Sequence, residues 1–190
     1  MILASRSPRR RELLSRCGVE FSVFDADVGE LTQDSGVILE ELPAANASLK
    51  ADAAAEKFPC ELVLGADTMV ICNGKAYGKP ENEAESFNML SELSGRTHQV
   101  ITGVALVCRE RGIREVWSEV SQVRFRKLSA ETIRNYIQCV NTLDKAGAYA
   151  IQEHGEMIIE HLDGELENVI GLPLIQLQKF LRQFYQPGRD

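Results

Sequence analysis

Short apolar runs alternate along this chain with segments of helical periodicity, and this order constrains the possible folds more than any other feature. The first run, residues 1–4, is followed closely by Ser7 and Pro8, which are residue types preferred at a helix cap and at the first helical position. We therefore predict a buried strand and then a helix at the start of the chain. The continuing alternation predicts an α/β or α+β protein.

The rest of the chain divides into further predicted helices and strands. Helices are predicted over residues 43–58, 83–95, 129–140 and 171–184. Strands are predicted over residues 21–28, 98–108, 114–127, 147–152 and 156–162. Residues 61–80 are interpreted as two strands joined at Asn73-Gly74, a favoured hairpin turn. No internal repeat or long linker interrupts this pattern, so we expect a single domain over residues 1–190.

The bulk composition argues against several classes of protein. The formal net charge of -7 disfavours general nucleic-acid binding, which needs a basic face. No apolar run approaches the ~20 residues of a membrane helix, and the N-terminus lacks a signal-peptide pattern, so we expect a cytoplasmic protein with no membrane partner. The five cysteines are scattered and the three histidines show no metal-ligand spacing, so we expect reduced thiols and no zinc site.

Three consecutive arginines follow Pro8 at the predicted start of the first helix. Backbone N–H groups and the helix dipole favour an anion at such a position, and Ser7, Arg9 and Arg10 could donate hydrogen bonds to phosphate oxygens. Successive helical residues turn by about 100°, so Arg11 is expected to face elsewhere. A capped helix with solvated arginines is the alternative interpretation, and both remain open at this point.

Asp67 is a second candidate, because it lies inside the apolar run "VLGADTMV". A carboxylate in such surroundings needs a hydrogen-bonding, metal-binding or catalytic role, although an aspartate that caps a turn would fit the same residues. Gly65 and Ala66 are expected to leave room for another group to approach. Asp144 and Lys145 are a weaker third candidate.

The chain thus combines acids that could hold a metal ion with bases that could hold phosphates, a combination that metal-assisted attack on a polyphosphate requires. The acids are Glu30 and Asp67, and the bases are Arg9, Arg10, Lys50 and Lys79. Taken alone, Lys79 fits an ordinary surface lysine better than a phosphate-binding residue.

Six motifs follow one another in the chain, namely "LASRSPRRRELL", "LGADT", "YGKP", "LSGRTHQVITGV", "DKAGAY" and "NVIGLPL". In order and rough spacing, from Ile2 to about Leu177, they resemble those of the Maf family of nucleoside triphosphate pyrophosphatases. The resemblance implies a mixed α/β fold like that of inosine triphosphate pyrophosphatases. That fold has a strongly twisted sheet with flanking helices, and two lobes around a central cleft.

The same resemblance implies an activity, a cofactor and a set of site residues. The activity is hydrolysis of a nucleoside triphosphate to the monophosphate and pyrophosphate, with a divalent cation, Mg²⁺ or Mn²⁺, in a homodimer. Asp67 occupies the position of the family's proton acceptor. The implied substrate-binding residues are Ser7, Arg9, Arg10, Lys50 and Lys79.

Three positions separate the two branches of the family that this chain resembles, and here they are Arg9, Thr68 and Gln152. This set is similar to that of the branch that prefers dTTP and UTP. The other branch has Gln and Glu at the second and third positions and prefers 7-methyl-GTP. A glutamine amide both donates and accepts hydrogen bonds, which suits the N3–H and carbonyl groups of uracil and thymine.

The chain departs from the family pattern in places, most clearly at Gly29, where an acid usually precedes Glu30. This departure supports an alternative function, a catalytically weak nucleotide-binding regulator of septum formation or a nucleic-acid-binding protein. The alternative predicts no pyrophosphate release from UTP. A nucleic-acid binder would also lose affinity steeply as salt is added.

Overall fold

The computed structural model describes residues 1–185 of the chain as a mixed α/β fold. The strands of this part of the chain are β1 (Ile2–Ala4), β2 (Ser22–Val23), β3 (Val63–Cys72), β4 (Lys75–Tyr77), β5 (Thr97–Cys108), β6 (Ile113–Phe125) and β7 (Ile159–Asp163). Its α-helices are α1 (Pro8–Ser15), α2 (Leu42–Lys57), α3 (Glu83–Leu93), α4 (Ala130–Cys139), α5 (Leu166–Ile170) and α6 (Leu174–Phe184).

The strands of the described residues form one seven-stranded sheet in the order β2-β1-β3-β5-β6-β7, and β4 pairs with β3 outside this path. β1 runs parallel to both β2 and β3. β4 is antiparallel to β3, and β7 is antiparallel to β6. The sheet is therefore mixed, which confirms the predicted fold class.

The contacts divide the chain into two compact units. The first unit contains residues 1–67, 102–119 and the residues from Gly171 onward, and the second contains residues 68–101 and 120–170. β3 passes from the first unit into the second between Asp67 and Thr68. That the chain forms a single domain over residues 1–190 stays a prediction.

The core of the first unit forms where the alanine-rich helix α2 packs on the sheet. Ala47, Ala51, Ala54 and Ala55 are fully buried there, together with residues of β1, β3 and β5. An added Cβ at Gly65 of β3 would lie 2.2 Å from the carbonyl oxygen of Ala47, so only glycine fits at this point. The backbones of α2 and β3 therefore approach more closely than any side chain at this position would allow.

The core of the second unit lies between α3, α4 and the sheet. Leu90 and Leu93 of α3, Ile133 and Tyr136 of α4 and Phe125 of β6 are buried in one cluster. Asn82 caps α3 and Ser129 caps α4, each with a side-chain oxygen that accepts a backbone N–H. These caps fix where both helices begin.

Most of the predicted elements are confirmed. The Asn73-Gly74 turn joins β3 to β4 with φ of 51° and 73°, the values that a two-residue hairpin turn of this type needs. The predicted strand over residues 21–28 is reduced to the two residues of β2. The short helix α5 was not predicted.

The predicted strand over residues 147–152 is wrong. Gly147 and Ala148 both have positive φ, 69° and 61°, which extended strands do not allow. The predicted strand over residues 156–162 is correct only from Ile159, because the residues before it form a short 3₁₀ turn. The segment between α4 and β7 is therefore irregular.

Candidate active site

The start of α1 is built as the sequence predicts, with Ser7 as the cap and Pro8 in the first turn. Ser7 Oγ accepts a hydrogen bond from the backbone N–H of Arg10 at 3.4 Å. The hydroxyl of Ser5 accepts the Ser7 N–H at 3.2 Å, which shapes the turn between β1 and α1. Because Ser7 Oγ is the acceptor in the hydrogen bond from the Arg10 N–H, the Ser7 hydroxyl hydrogen can still be donated to an anion.

The three arginines of α1 differ in their surroundings. Arg11 is exposed, whereas Arg9 and Arg10 are half-buried. Arg10 donates from Nε to the carbonyl oxygen of Gly171 at 2.9 Å and from Nη1 to Ser5 Oγ at 3.3 Å. Arg10 therefore also ties α1 to the segment that leads into α6, a role that the sequence did not reveal.

The charge of Arg10 lies among other charges of the first unit. Burial lowers the pKa of its guanidinium from the usual value, Asp67 and Glu30 raise it, and Arg9 lowers it. Arginine nevertheless stays protonated in proteins. Arg9 and Arg10 therefore interact electrostatically within the same group of charges as the two predicted acids.

Asp67 lies inside β3 and faces α2. Its carboxylate accepts a hydrogen bond from Lys50 Nζ at 2.8 Å and from Asn46 Nδ2 at 3.4 Å. Both side chains of the ion pair are largely buried, at 13% exposure for Asp67 and 12% for Lys50. Asp67 does not cap a turn, so that alternative interpretation is wrong.

Lys50 joins the two predicted metal-binding acids. Its ammonium lies 2.6 Å from Glu30 Oε1 as well as 2.8 Å from Asp67 Oδ1. Glu30 is more exposed, at 56%. The two carboxylates therefore converge on a single ammonium, which places three charged groups of the prediction within one cluster.

Gly65 has a different role from the one expected. The sequence predicted that Gly65 and Ala66 leave room for another group to approach, and the group that approaches is helix α2 itself. This close approach brings Asn46 and Lys50, one helical turn apart on α2, over Asp67.

Asn46 is a site residue that the sequence analysis missed. It is buried, accepts the backbone N–H of Leu31 at 2.7 Å and donates to the carbonyl oxygen of Leu31 at 3.0 Å. Its amide thus fixes the residue next to Glu30 while it also contacts Asp67. The signal was present in the sequence, because Asn46 precedes Lys50 by four residues in a predicted helix.

The remaining predicted site residues lie in the second unit. Thr68 follows Asp67 in β3 and is half-buried, Lys79 follows β4 and is exposed, and Gln152 is exposed in the irregular segment before β7. The structure therefore brings together Ser7, Arg10, Glu30, Lys50 and Asp67 in the first unit. Their grouping with Thr68, Lys79 and Gln152 stays a prediction.

The donor set of Glu30 and Asp67 fits a hard divalent cation. Mg²⁺ is usually bound by one or two carboxylates together with substrate phosphates and water, rather than by a complete cage of protein ligands. Among residues 1–185, no cluster of three or more Asp, Glu, His or Cys side chains forms such a cage. Two converging carboxylates match the open type of site.

Paired carboxylates that contact a lysine of α2, in the same unit as the arginines at the start of α1, are typical of one class of protein, an enzyme acting on phosphates. Residues 1–184 match the model of the family described as Maf-like protein. The chain belongs to the Maf family, as the sequence motifs predicted.

Curated relatives cover almost the whole chain. A protein of Akkermansia muciniphila is 46% identical over 181 residues, 95% of this chain and 94% of the relative. A protein of Moorella thermoacetica is 43% identical over 97% of this chain and 94% of the relative, and one of Symbiobacterium thermophilum is 45% identical over 98% and 95%. All three are named dTTP/UTP pyrophosphatase.

None of the helices within residues 1–185 has both the length and the apolar character that a membrane span requires.

Proposed function

We propose that this protein is a nucleotide pyrophosphatase that hydrolyses dTTP and UTP to the monophosphate and pyrophosphate. The observation that carries the proposal is the position of Asp67, a largely buried carboxylate held by Lys50 and Asn46 in the same unit as the arginines of α1. The names of relatives at 40–46% identity support the same activity and substrates.

Asp67 acts as the proton acceptor in this proposal. The oxygen of a water molecule forms a bond to the α-phosphorus, the bond from that phosphorus to the bridging oxygen breaks, and pyrophosphate leaves. The proton of the water passes to a carboxylate oxygen of Asp67. A positioned base of this kind contributes about 10²- to 10⁴-fold to the rate.

The cationic and hydroxyl groups bind the triphosphate. Arg9 and Arg10 donate forked hydrogen bonds from the start of α1, and Ser7 donates its hydroxyl hydrogen. Lys50 and Lys79 provide further positive charge. Arg10 also donates two hydrogen bonds within the protein, to Gly171 and Ser5.

Glu30 and Asp67 would hold Mg²⁺ or Mn²⁺. When bound, the ion would neutralise phosphate charge and polarise the phosphoryl oxygens. In the structure the Lys50 ammonium contacts both of these acids, so its single positive charge offsets one of their two negative charges.

Arg9, Thr68 and Gln152 select the base in this proposal. The Gln152 amide offers both a donor and an acceptor to uracil or thymine. Replacing Gln152 by Glu together with Thr68 by Gln should lower kcat/KM for UTP and dTTP about tenfold to a hundredfold, because a carboxylate cannot donate to a carbonyl oxygen. An unchanged ratio between UTP and 7-methyl-GTP would remove these positions from base recognition.

The deciding experiment measures pyrophosphate release from UTP with Mg²⁺ by the wild type and by Asp67→Asn. We expect a loss of at least a hundredfold in Asp67→Asn. Asp52→Asn is the matched control, because Asp52 also lies in the first unit and pairs with a cation, Arg114, but is no part of the proposed site. Near-wild-type turnover in a folded Asp67→Asn protein would refute the assignment of Asp67.

The alternative, a regulator without catalysis, is not favoured by the names of the relatives. The same assay decides between the two, since a regulator would bind UTP without releasing pyrophosphate. The homodimer and the cytoplasmic location stay predictions, and light scattering at several protein concentrations would test the first of them.

A further inference from the structure

The segment from Tyr149 to Glu153 carries Gln152 and has no regular secondary structure. It is bounded by two non-glycine residues in the left-handed region, Ala148 with φ of 61° and His154 with φ of 54°. Such conformations cost free energy and persist only where the surrounding structure holds them. Contacts with residues outside the segment therefore hold its backbone in place.

Tyr136 of α4 holds the segment on the side that precedes Gln152. Its hydroxyl is buried, donates to the carbonyl oxygen of Ala150 at 3.2 Å and accepts the backbone N–H of Ala150 at 3.0 Å. One side-chain hydroxyl thus replaces both hydrogen bonds that a neighbouring strand would have supplied. Burial raises the pKa of Tyr136 to about 12, so the hydroxyl keeps its proton at neutral pH.

Lys145 holds the segment on the side that follows Gln152. Its side chain is only 5% exposed, and its ammonium lies 3.3 Å from Glu153 Oε1. The same ammonium donates to the carbonyl oxygen of Asn141 at 2.6 Å and to Asp144 Oδ1 at 2.9 Å. A buried ammonium with three oxygen partners fixes their mutual positions, because losing any one of them leaves part of its charge unpaired.

We propose that Tyr136 and Lys145 are positioning residues for base recognition, which fix the backbone on both sides of Gln152. The proposal rests on the proposed function, in which Gln152 contacts the base. The Gln152 amide must meet a donor and an acceptor of the base together, so a small displacement of its backbone breaks both hydrogen bonds. Tyr136 and Lys145 contact no substrate in this proposal and act only through Gln152.

The test compares kcat/KM for UTP with that for GTP in Tyr136→Phe, which removes the hydroxyl and keeps the ring. We expect the ratio to fall about tenfold. Tyr77→Phe is the matched control. Tyr77 is a buried tyrosine of the same unit, and its hydroxyl donates to Glu92 Oε2 at 2.7 Å and not to this segment. The Tyr77→Phe substitution should lower the melting temperature without changing the ratio of kcat/KM for UTP to that for GTP.

The second step repeats Tyr136→Phe in a Gln152→Ala background. If Tyr136 acts through Gln152, the ratio in the double variant equals that of Gln152→Ala within about twofold. A further tenfold fall in the double variant, or an equal loss for UTP and GTP in Tyr136→Phe, would overturn the proposal and leave Tyr136 with a structural role.

Glu153→Gln is the second variant, because it removes the charge that Lys145 holds and changes only an accessible side chain. We expect an approximately threefold fall in the UTP to GTP ratio, and an unchanged ratio would overturn the role of Lys145. If Gln152 does not contact the base, as the proposed function requires, Gln152→Ala itself leaves the UTP to GTP ratio unchanged. That result would refute the base contact and the positioning role together, and it is distinguishable from a failure of the positioning role alone.

Discussion

Replacing Gly65 by Ala is expected to move Asn46 and Lys50 of α2 away from Asp67 of β3 in the candidate active site. The new Cβ would lie 2.2 Å from the carbonyl oxygen of Ala47 and 2.9 Å from the backbone nitrogen of Ala51. Both atoms belong to the backbone of α2, so no side-chain rotation relieves the clash. An ordinary contact is longer than 3 Å, so the helix must retreat by about 1 Å.

The retreat moves Asn46 and Lys50 away from Asp67, since both side chains are on α2. A displacement of about 1 Å in a catalytic arrangement reduces the rate by about a hundredfold. The overpacked core should also lose about 1–3 kcal/mol of unfolding free energy. We therefore expect kcat/KM for UTP to fall about a hundredfold in a protein that still unfolds cooperatively, with a melting temperature lower by about 5 °C.

The assay combines pyrophosphate release with thermal unfolding, and Gly29→Ala is the control. An added Cβ at Gly29 meets no heavy atom within 4 Å, so both readouts should stay at the wild-type value. If Gly65→Ala also keeps wild-type activity and stability, the close approach of α2 does not position the site, and the reasoning is refuted.

Three further predictions concern other parts of the chain. Burial lowers the pKa of His98 to about 4 from the usual 6.5. The free energy of unfolding should therefore be highest above pH 6.5 and fall by about 3 kcal/mol as the pH is lowered to 4, because only the unfolded state is protonated in this range. Urea unfolding should show this loss in the wild type and a flatter pH profile in His98→Gln. Arg9→Ala and Lys79→Ala should each lower kcat/KM for UTP more than tenfold and shift the melting temperature by no more than a degree or two. Gly29→Asp adds a carboxylate beside Glu30 in open space, so less Mg²⁺ should suffice for half-maximal activity and for thermal stabilisation without nucleotide.

Local signals in the sequence predicted the beginnings of helices and the tight turns. Ser7-Pro8, Ser129 and Asn73-Gly74 act through their immediate neighbours, and the structure confirms each of them. The strand predicted over residues 147–152 is wrong because local signals do not report contacts with distant residues. Its backbone is held by Tyr136, a side chain of another element, and periodicity carries no information about such a partner.

The candidate site was predictable in its residue types and less so in its arrangement. The charge pattern and the family resemblance indicated Asp67, Lys50 and Glu30, but not that one ammonium joins the two acids. Gly65 could be recognised as unusual, whereas the identity of the approaching group depends on how α2 packs. The spacing of Asn46 and Lys50 places them on one face of the predicted helix, but what that face meets also depends on how α2 packs, so Asn46 was missed.

The passage of β3 between the two units at Asp67 and Thr68 has a consequence for how such an enzyme can diverge. The proposed proton acceptor ends one unit, and a proposed base-selecting residue begins the next. Gln152 and the residues that hold it also belong to the second unit. If the proposed function holds, we expect mutations in the second unit to change the preferred nucleotide while the proposed hydrolytic groups of the first unit keep their packing. Arg9 is the exception, since the proposed function gives it both tasks from the first unit, and we expect a change of substrate at this position to interfere with hydrolysis.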